Sequence, residues 1–245
     1  MSYSVDINCD VGEGLGNEAS LMPFISSCSI ACGAHAGDDS TIIETIRLAI
    51  KNNIKIGAHP SFPDRKNFGR KVMDLDKKDL QQSLEDQINL VYTHAKHLGA
   101  KLHHVKVHGA LYNQAAIDTK IAQIIIMAVK NTAHDAVLYV PYNSILEKLA
   151  LKNNVKIKVE AFADRNYNKN LTLVSRTNEN AIITDRDLLL EHLLKMIIHK
   201  KVKTISGVEV AMKADTYCIH GDNPNAVEIL KYISQKFLEK GIKIE

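Results

Sequence analysis

The chain has 245 residues, 45% apolar and 24% charged, with a formal net charge of +3. That length supports one sizeable core, expected as a single domain over residues 1–245, and the charge is too mild and too dispersed to mark a nucleic-acid partner. No basic segment leads into an apolar run at the N-terminus, and the longest apolar stretch, around "IAQIIIMAV", is too short to span a bilayer. No membrane association is therefore expected, and the expected location is cytoplasmic.

β-branched apolar runs and stretches of 3.6-residue periodicity alternate along the chain. The expected order is strand 5–10, strand 28–33, helix 40–52, strand 54–59, helix 76–98, strand 103–108 and helix 115–131. Strand 136–140, helix 143–152, strand 155–161, helix 185–200, strand 216–220 and helix 224–240 complete it. Seven strands separated mostly by helices predict a parallel sheet covered by helices. The stretches "NKNLTLVSRTNENAIITD" and "VKTISGVEVAMKAD" break the rhythm and are expected as small hairpins or excursions at the rim. Cys9, Cys28, Cys32 and Cys218 fall within the expected strands without CxxC spacing, so they are expected as unreactive core thiols without disulfides.

Polar chemistry gathers where the strands end. The first strand ends at Asp10, the second runs into "ACGAHAGD" with His35 and Asp38, the third ends at His59 and the fourth at His108. The sixth runs into Glu160, Asp164 and Arg165, and the last into His220 and Asp222. An open doubly wound sheet collects only the strand ends at its switch point, whereas a closed parallel barrel brings all of them to one mouth. Six of the seven expected strand ends carry candidates, which favours a (β/α) barrel. Along the first strand Asp6, Asn8 and Asp10 alternate with Val5, Ile7, Cys9 and Val11, so the polar edge needs partners inside such a barrel. Lys106, on the same strand face as His108, is one; the alternative is that Asp10 only turns the glycine loop that follows it.

Local motifs exclude several chemistries. Gly14, Gly16 and Ala19 fit a loose GxGxxA pattern, but no acidic residue ends the next strand to hold a ribose, and no Walker GxxxxGK[ST] occurs. His104 and His108 are four residues apart, roughly 13 Å along a strand, too far to share a metal. His94 and His97 sit at a helix C-terminus, where imidazole answers the helix dipole. Without a GxSxG elbow or a reactive cysteine, acid/base chemistry fits better than a covalent nucleophile. Asp10 and Asp164 are candidates to activate water, and Arg70, Arg165 or Arg176 to hold an anionic group. The set Asp10, His35, His59, His108 and His220 is open to either a divalent metal such as zinc or manganese or a metal-free proton-transfer cluster.

The segments "DINCDVGEG", "SIACGAHAGD", "IGAHPSFPD", "FGR", "HVKVHGALYN", "FADRNY", "LVSR" and "HGDNP" occur in the order and spacing of the LamB/YcsF family, which the chain resembles from residue 5 to about 240. Ala34, Val107 and Asn170 depart from the family pattern in loop or packing positions and leave the polar set intact. The resemblance implies a seven-stranded (β/α) barrel of the glycoside hydrolase/deacetylase type. It also implies the family's characterised function as the A subunit of 5-oxoprolinase: ATP-dependent opening of 5-oxoproline (pyroglutamate) to L-glutamate with ADP and phosphate, alongside two further subunits, B and C. The resemblance implies ATP as the cofactor and leaves open whether this chain or its partners B and C bind it. The competing functions are a metal-dependent carbohydrate deacetylase or hydrolase and a non-catalytic binding subunit. Catalysis is assigned to Asp10, His59, His108 and Asp164, and substrate binding to Asn8, Glu13, His35, Arg70, Lys106, Glu160, Arg165, His220 and Asp222.

Overall fold

The computed structural model describes residues 3–245 as alternating strands and helices. In chain order these are β1 (Tyr3–Val11), α1 (Glu18–Leu21), β2 (Ser27–Ala31), α2 (Asp39–Lys51), β3 (Lys55–His59), α3 (Lys77–His97), β4 (Leu102–Val105), α4 (Gly109–Ala115) and α5 (Thr119–Thr132). They continue with β5 (Val137–Pro141), α6 (Ile145–Lys152), β6 (Ile157–Phe162), α7 (Arg186–His199), β7 (Lys201–Lys203), β8 (Glu209–Ala211), β9 (Thr216–Cys218), α8 (Ala226–Glu239) and β10 (Ile242–Ile244). Strands β1 to β6 pair in sequence, all parallel, and β9 pairs with both β6 and β1, so seven strands close into a barrel. All seven are the strands expected from the sequence.

The differences lie at the edges of elements. The helix expected over 115–131 is α5, which begins at Thr119 where Asp118 accepts from the Lys120 and Ile121 amides, and a short helix that was not expected, α4, precedes it directly after His108. Regular pairing of β4 stops at Val105, although the Lys106 and His108 amides still donate to the carbonyls of Ala58 in β3 and of Pro60 just after it. The 201–211 excursion is an antiparallel β7–β8 hairpin, as expected of that stretch. The 166–184 excursion is a loop held by isolated bridges, Arg165 to Ile182 and Tyr167 to Leu173. β10, absent from the expected order, pairs with Tyr3–Val5 of β1 just before the register passes to β9 at Asp6. Three residues between a lysine-rich helix end and the chain end carry too little periodicity to read as a strand.

Two cores result from the alternation along the strands. Val5, Ile7, Cys9 and Val11 of β1 face outward into an apolar layer, with residues such as Ile30, Val105 and Leu138, beneath the helices. The helices bury one stripe each; in α3 it is Leu80, Leu84, Ile88, Val91 and Ala95. Each buried leucine or isoleucine contributes about 1.5–3 kcal/mol, so this layer supplies the main driving force. The second core is the barrel interior, and it is polar: Asp6, Asn8 and Asp10 point into it, with Ser27, Ser29, His104, Lys106, Glu160 and Thr216 around them, all buried. Gly57 of β3 makes room there, because a Cβ at that position would lie 2.2 Å from Nε2 of His104.

No helix among the described residues is long and apolar enough to cross a membrane. The four cysteines are free and buried, and burial pushes the Cys28 thiol up to about 12, consistent with unreactive thiols.

Candidate active site at the barrel mouth

The carboxyl ends of the strands surround a cavity of about 620 Å³ whose lining includes Asp10, His59, Lys106, His108, Arg70 and His220. The even residues of β1 form a ladder up to it. Asn8 lies one step below, donating through Nδ2 to Thr216 Oγ1 at 2.8 Å and accepting from Lys106 Nζ at 3.1 Å. Lys106 is the hub of the cavity floor. Its Nζ lies 2.9 Å from Asp10 Oδ1, 2.8 Å from Glu160 Oε1 and 3.1 Å from Cys218 Sγ. Burial acts to lower its pKa, but Asp10, Cys218 and Glu160 outweigh it and hold the ammonium charged. Burial likewise acts to raise the Asp10 pKa; His59 and Lys106 overcome it and keep the carboxyl well below the usual carboxylate range.

Three histidines form the wall above Asp10. His59 Nδ1 lies 2.6 Å from the Lys106 carbonyl, and His108 Nε2 lies 2.9 Å from the carbonyl of Phe68, a residue in the left-handed region at φ 55°. Carbonyls only accept, so each of these nitrogens carries the proton. The other nitrogens face each other, His59 Nε2 and His108 Nδ1 at 3.0 Å, with Asp10 Oδ2 at 3.3 Å from His59 Nε2. His35 stacks on His108 with ring centroids 3.9 Å apart. Its Nδ1 bonds Ser61 Oγ, whose own proton goes to the Phe62 carbonyl, and its Nε2 faces Glu13 Oε1 at 3.5 Å. Burial, reinforced by the Asp10 and Asp222 charges, raises Glu13 well above the usual carboxyl range, and burial pushes His35 down to about 3. Glu13 and His35 are thus a neutral pair, a buried acid beside a buried base.

On the opposite wall, His220 stacks on Phe162 and bonds through Nδ1 to Asp164 Oδ1 at 2.8 Å. The other Asp164 oxygen accepts from the His220 amide and from Asn223 Nδ2. Burial acts to raise the Asp164 pKa, but its His220 partner and these hydrogen bonds lower it. With both oxygens occupied, Asp164 orients His220 instead of touching water, which differs from the expectation that it activates water. Arg165, expected as an anion clamp, lines the cavity but gives Nε and Nη2 to the Ala181 and Val174 carbonyls and so fastens the 166–184 loop. The exposed cationic rim is made by Arg70 and Arg176, which both pair with Asp222. Two guanidinium groups on one carboxylate leave a net positive charge for an anionic ligand.

Glu160 sits at the junction with a second cavity of about 590 Å³, which shares Tyr112, Asn113 and Phe162 with the first. The Tyr112 hydroxyl and both Glu160 oxygens are buried without a well-formed hydrogen bond. Tyr112, Ser61 and Asn223 are at the site without having been expected there. Tyr112, Ser61 and Asn223 stand inside the "HVKVHGALYN", "IGAHPSFPD" and "HGDNP" segments, whose motif character is a signal for all three.

Residues 5–245 match the LamB/YcsF family. The A subunit of 5-oxoprolinase from Oceanobacillus iheyensis is 40% identical over all of this chain and 97% of its own length. The protein of the same name from Campylobacter jejuni is 39% identical over 99% of this chain and 97% of its own. Among solved structures, the lactam utilization protein of Thermus thermophilus superposes with a TM-score of 0.92 at 35% identity, covering 99% of both chains. With whole-length similarity of this kind and the same barrel, the chain belongs to the LamB/YcsF family.

Proposed function

We propose that the chain acts as the A subunit of a 5-oxoprolinase and that the barrel mouth is where the lactam ring of 5-oxo-L-proline is opened to L-glutamate. The observation that carries this reading is the cavity floor. A charged carboxylate and two imidazoles with fixed tautomers meet an ammonium beneath a cationic rim. The rim of Arg70 and Arg176 suits the substrate's single carboxylate, and the cavity is ample for a five-membered ring. Ring opening adds water to the lactam carbonyl carbon and breaks its C–N bond. The water must lose a proton and the departing nitrogen must gain one.

The Asp10, His59 and His108 group is placed to take the proton from water, and Lys106 to stabilise negative charge developing on the carbonyl oxygen. His220, held by Asp164, faces the same cavity and is positioned to return a proton to the ring nitrogen. A lactam is a resonance-stabilised amide, so coupling to ATP through phosphorylation of the amide oxygen gives the step its driving force. ATP is proposed to bind with or at the partner subunits B and C, since the chain has no Walker loop. The test is ATP-dependent glutamate release from 5-oxoproline by the chain mixed with B and C, compared with each omission. Activity should appear only in the full mixture. Release of glutamate and ADP by the chain alone at the rate of the mixture would overturn the division of labour.

A further inference from the structure

The histidine tautomers on the cavity floor create a conflict that hydrogen bonds between the neutral side chains do not resolve. His59 Nδ1 is committed to the Lys106 carbonyl and His108 Nε2 to the Phe68 carbonyl. In their neutral forms His59 Nε2 and His108 Nδ1 therefore each present a lone pair, at 3.0 Å from one another. Asp10 Oδ2 adds a third electron-rich atom at 3.3 Å from His59 Nε2. Such an arrangement repels itself unless something positive occupies the point the three atoms share.

We propose that Asp10 Oδ2, His59 Nε2 and His108 Nδ1 form a binding site for one divalent transition-metal cation, of the zinc, manganese or cobalt class, with its remaining positions open to the cavity. The separations fit. A cation about 2.0–2.1 Å from each ligand in tetrahedral geometry puts neighbouring ligand atoms about 3.3 Å apart, and octahedral geometry about 2.9 Å. The two measured separations, 3.0 and 3.3 Å, fall in that interval, and the three ligand atoms lie within 4.8 Å of one another. The carbonyls behind both imidazoles are the outer partners that commonly fix a ligating ring and its tautomer. All three residues are buried, so the ligands are held before the cation arrives.

Two neighbouring clusters are weaker. Asp10, Cys218 and His220 also approach one another, but the Lys106 ammonium already stands between Asp10 and Cys218. Glu13, His35 and His108 form the third, and there Glu13 Oε1 stands 3.5 Å from His35 Nε2 and 3.7 Å from His108 Nδ1, outside that interval, and it competes for the His108 nitrogen already directed at His59. A cation in the proposed position would lower the pKa of a coordinated water toward neutrality. This specifies how the Asp10, His59 and His108 group of the ring-opening reading prepares water. The binding itself does not depend on that reading.

The competing occupant is a single proton held between the imidazoles. The full-length chain, stripped with a chelator, is titrated separately with Zn2+, Mn2+ and Co2+ and dialysed; bound metal is measured by elemental analysis and Co2+ also by its visible absorption. One equivalent of at least one metal should be retained, with a rise in melting temperature. Asp10→Asn, His59→Gln and His108→Gln should each weaken binding at least ~100-fold, beyond the effect of losing an outer partner. Cys218→Ser and His97→Ala should bind as the unaltered chain does. Failure to retain any of the three metals, or undiminished binding by the three ligand variants with intact circular dichroism, overturns the site and leaves the proton in its place. No substrate, nucleotide or partner enters the measurement, so that failure is separate from a failure of ring opening in the three-component assay.

Discussion

The two ends of the barrel interior use the same residue type on the same strand and treat it differently. At the lower end Asp6 is saturated: Oδ1 accepts from Ser27 Oγ at 3.1 Å and Thr216 Oγ1 at 2.7 Å, and Oδ2 pairs with Lys158 at 3.0 Å and Lys55 at 3.4 Å. At the upper end Asp10 meets Lys106 and His59, and around it Glu13, His35 and Glu160 keep buried polar atoms without hydrogen-bond partners. Unpaired buried polar atoms cost stability, so a fold that keeps them only at one end has a use for them there. The lower network holds the barrel closed, linking β1 to β2, β3, β6 and β9. The upper network is left open toward the cavity.

The largest effect is expected from removing the hub between the two ends. Lys106→Met leaves Asp10 and Glu160 buried without their counter-charge and should destabilise the fold by about 3–5 kcal/mol in denaturant titrations. A loss under 1 kcal/mol would mean that water screens the floor. The sharpest test of the contrast is the pair Asp10→Asn and Asp6→Asn. Asp10→Asn should lower turnover in the assembled complex by at least ~100-fold, about 2.7 kcal/mol, while leaving the melting temperature nearly unchanged. Asp6→Asn should do the reverse, costing about 1–3 kcal/mol of stability with turnover close to that of the parent chain. If both variants lose activity in proportion to stability, the two ends do not differ in kind.

A smaller effect is expected from acid. Burial holds His104, inside the barrel, well below its ordinary value of 6.5, and pushes His192, on the buried face of α7, down to about 4. Both are neutral in the fold and take up protons near pH 6.5 once unfolded, so the unfolded chain binds more protons as the pH falls. Their contribution is full above about pH 6.5 and, for His192, is lost as the pH drops toward about 4. Urea midpoints should therefore be level near neutrality and fall on acidification; a midpoint that rises instead shows that these rings are charged in the fold. The smallest effect belongs to His94, at the end of α3, with only a 3.8 Å pairing to exposed Asp39. His94→Ala should change stability by no more than about 0.5 kcal/mol and leave turnover untouched, which separates site histidines from helix-end ones.

What the sequence determined by itself was the frame. The alternation of Val5, Ile7, Cys9 and Val11 with Asp6, Asn8 and Asp10 set which edge of β1 faces the helices, because a strand turns successive side chains to opposite faces. The βα rhythm and the polar strand ends identified the barrel and the mouth. Eight segments in family order carried the resemblance that whole-length comparison then bore out. Only the tertiary structure decided how the polar residues divide their work. Arg165 and Asp164 follow one another in "FADRNY", yet one fastens a loop through the carbonyls of Ala181 and Val174 and the other orients His220 from 56 residues away. The facing lone pairs of His59 and His108 depend on carbonyls of Lys106 and Phe68, and any backbone supplies a carbonyl whatever its side chain. Such pairings leave no pattern along a chain, because they are fixed by the closure of seven strands and by where each loop returns to the rim.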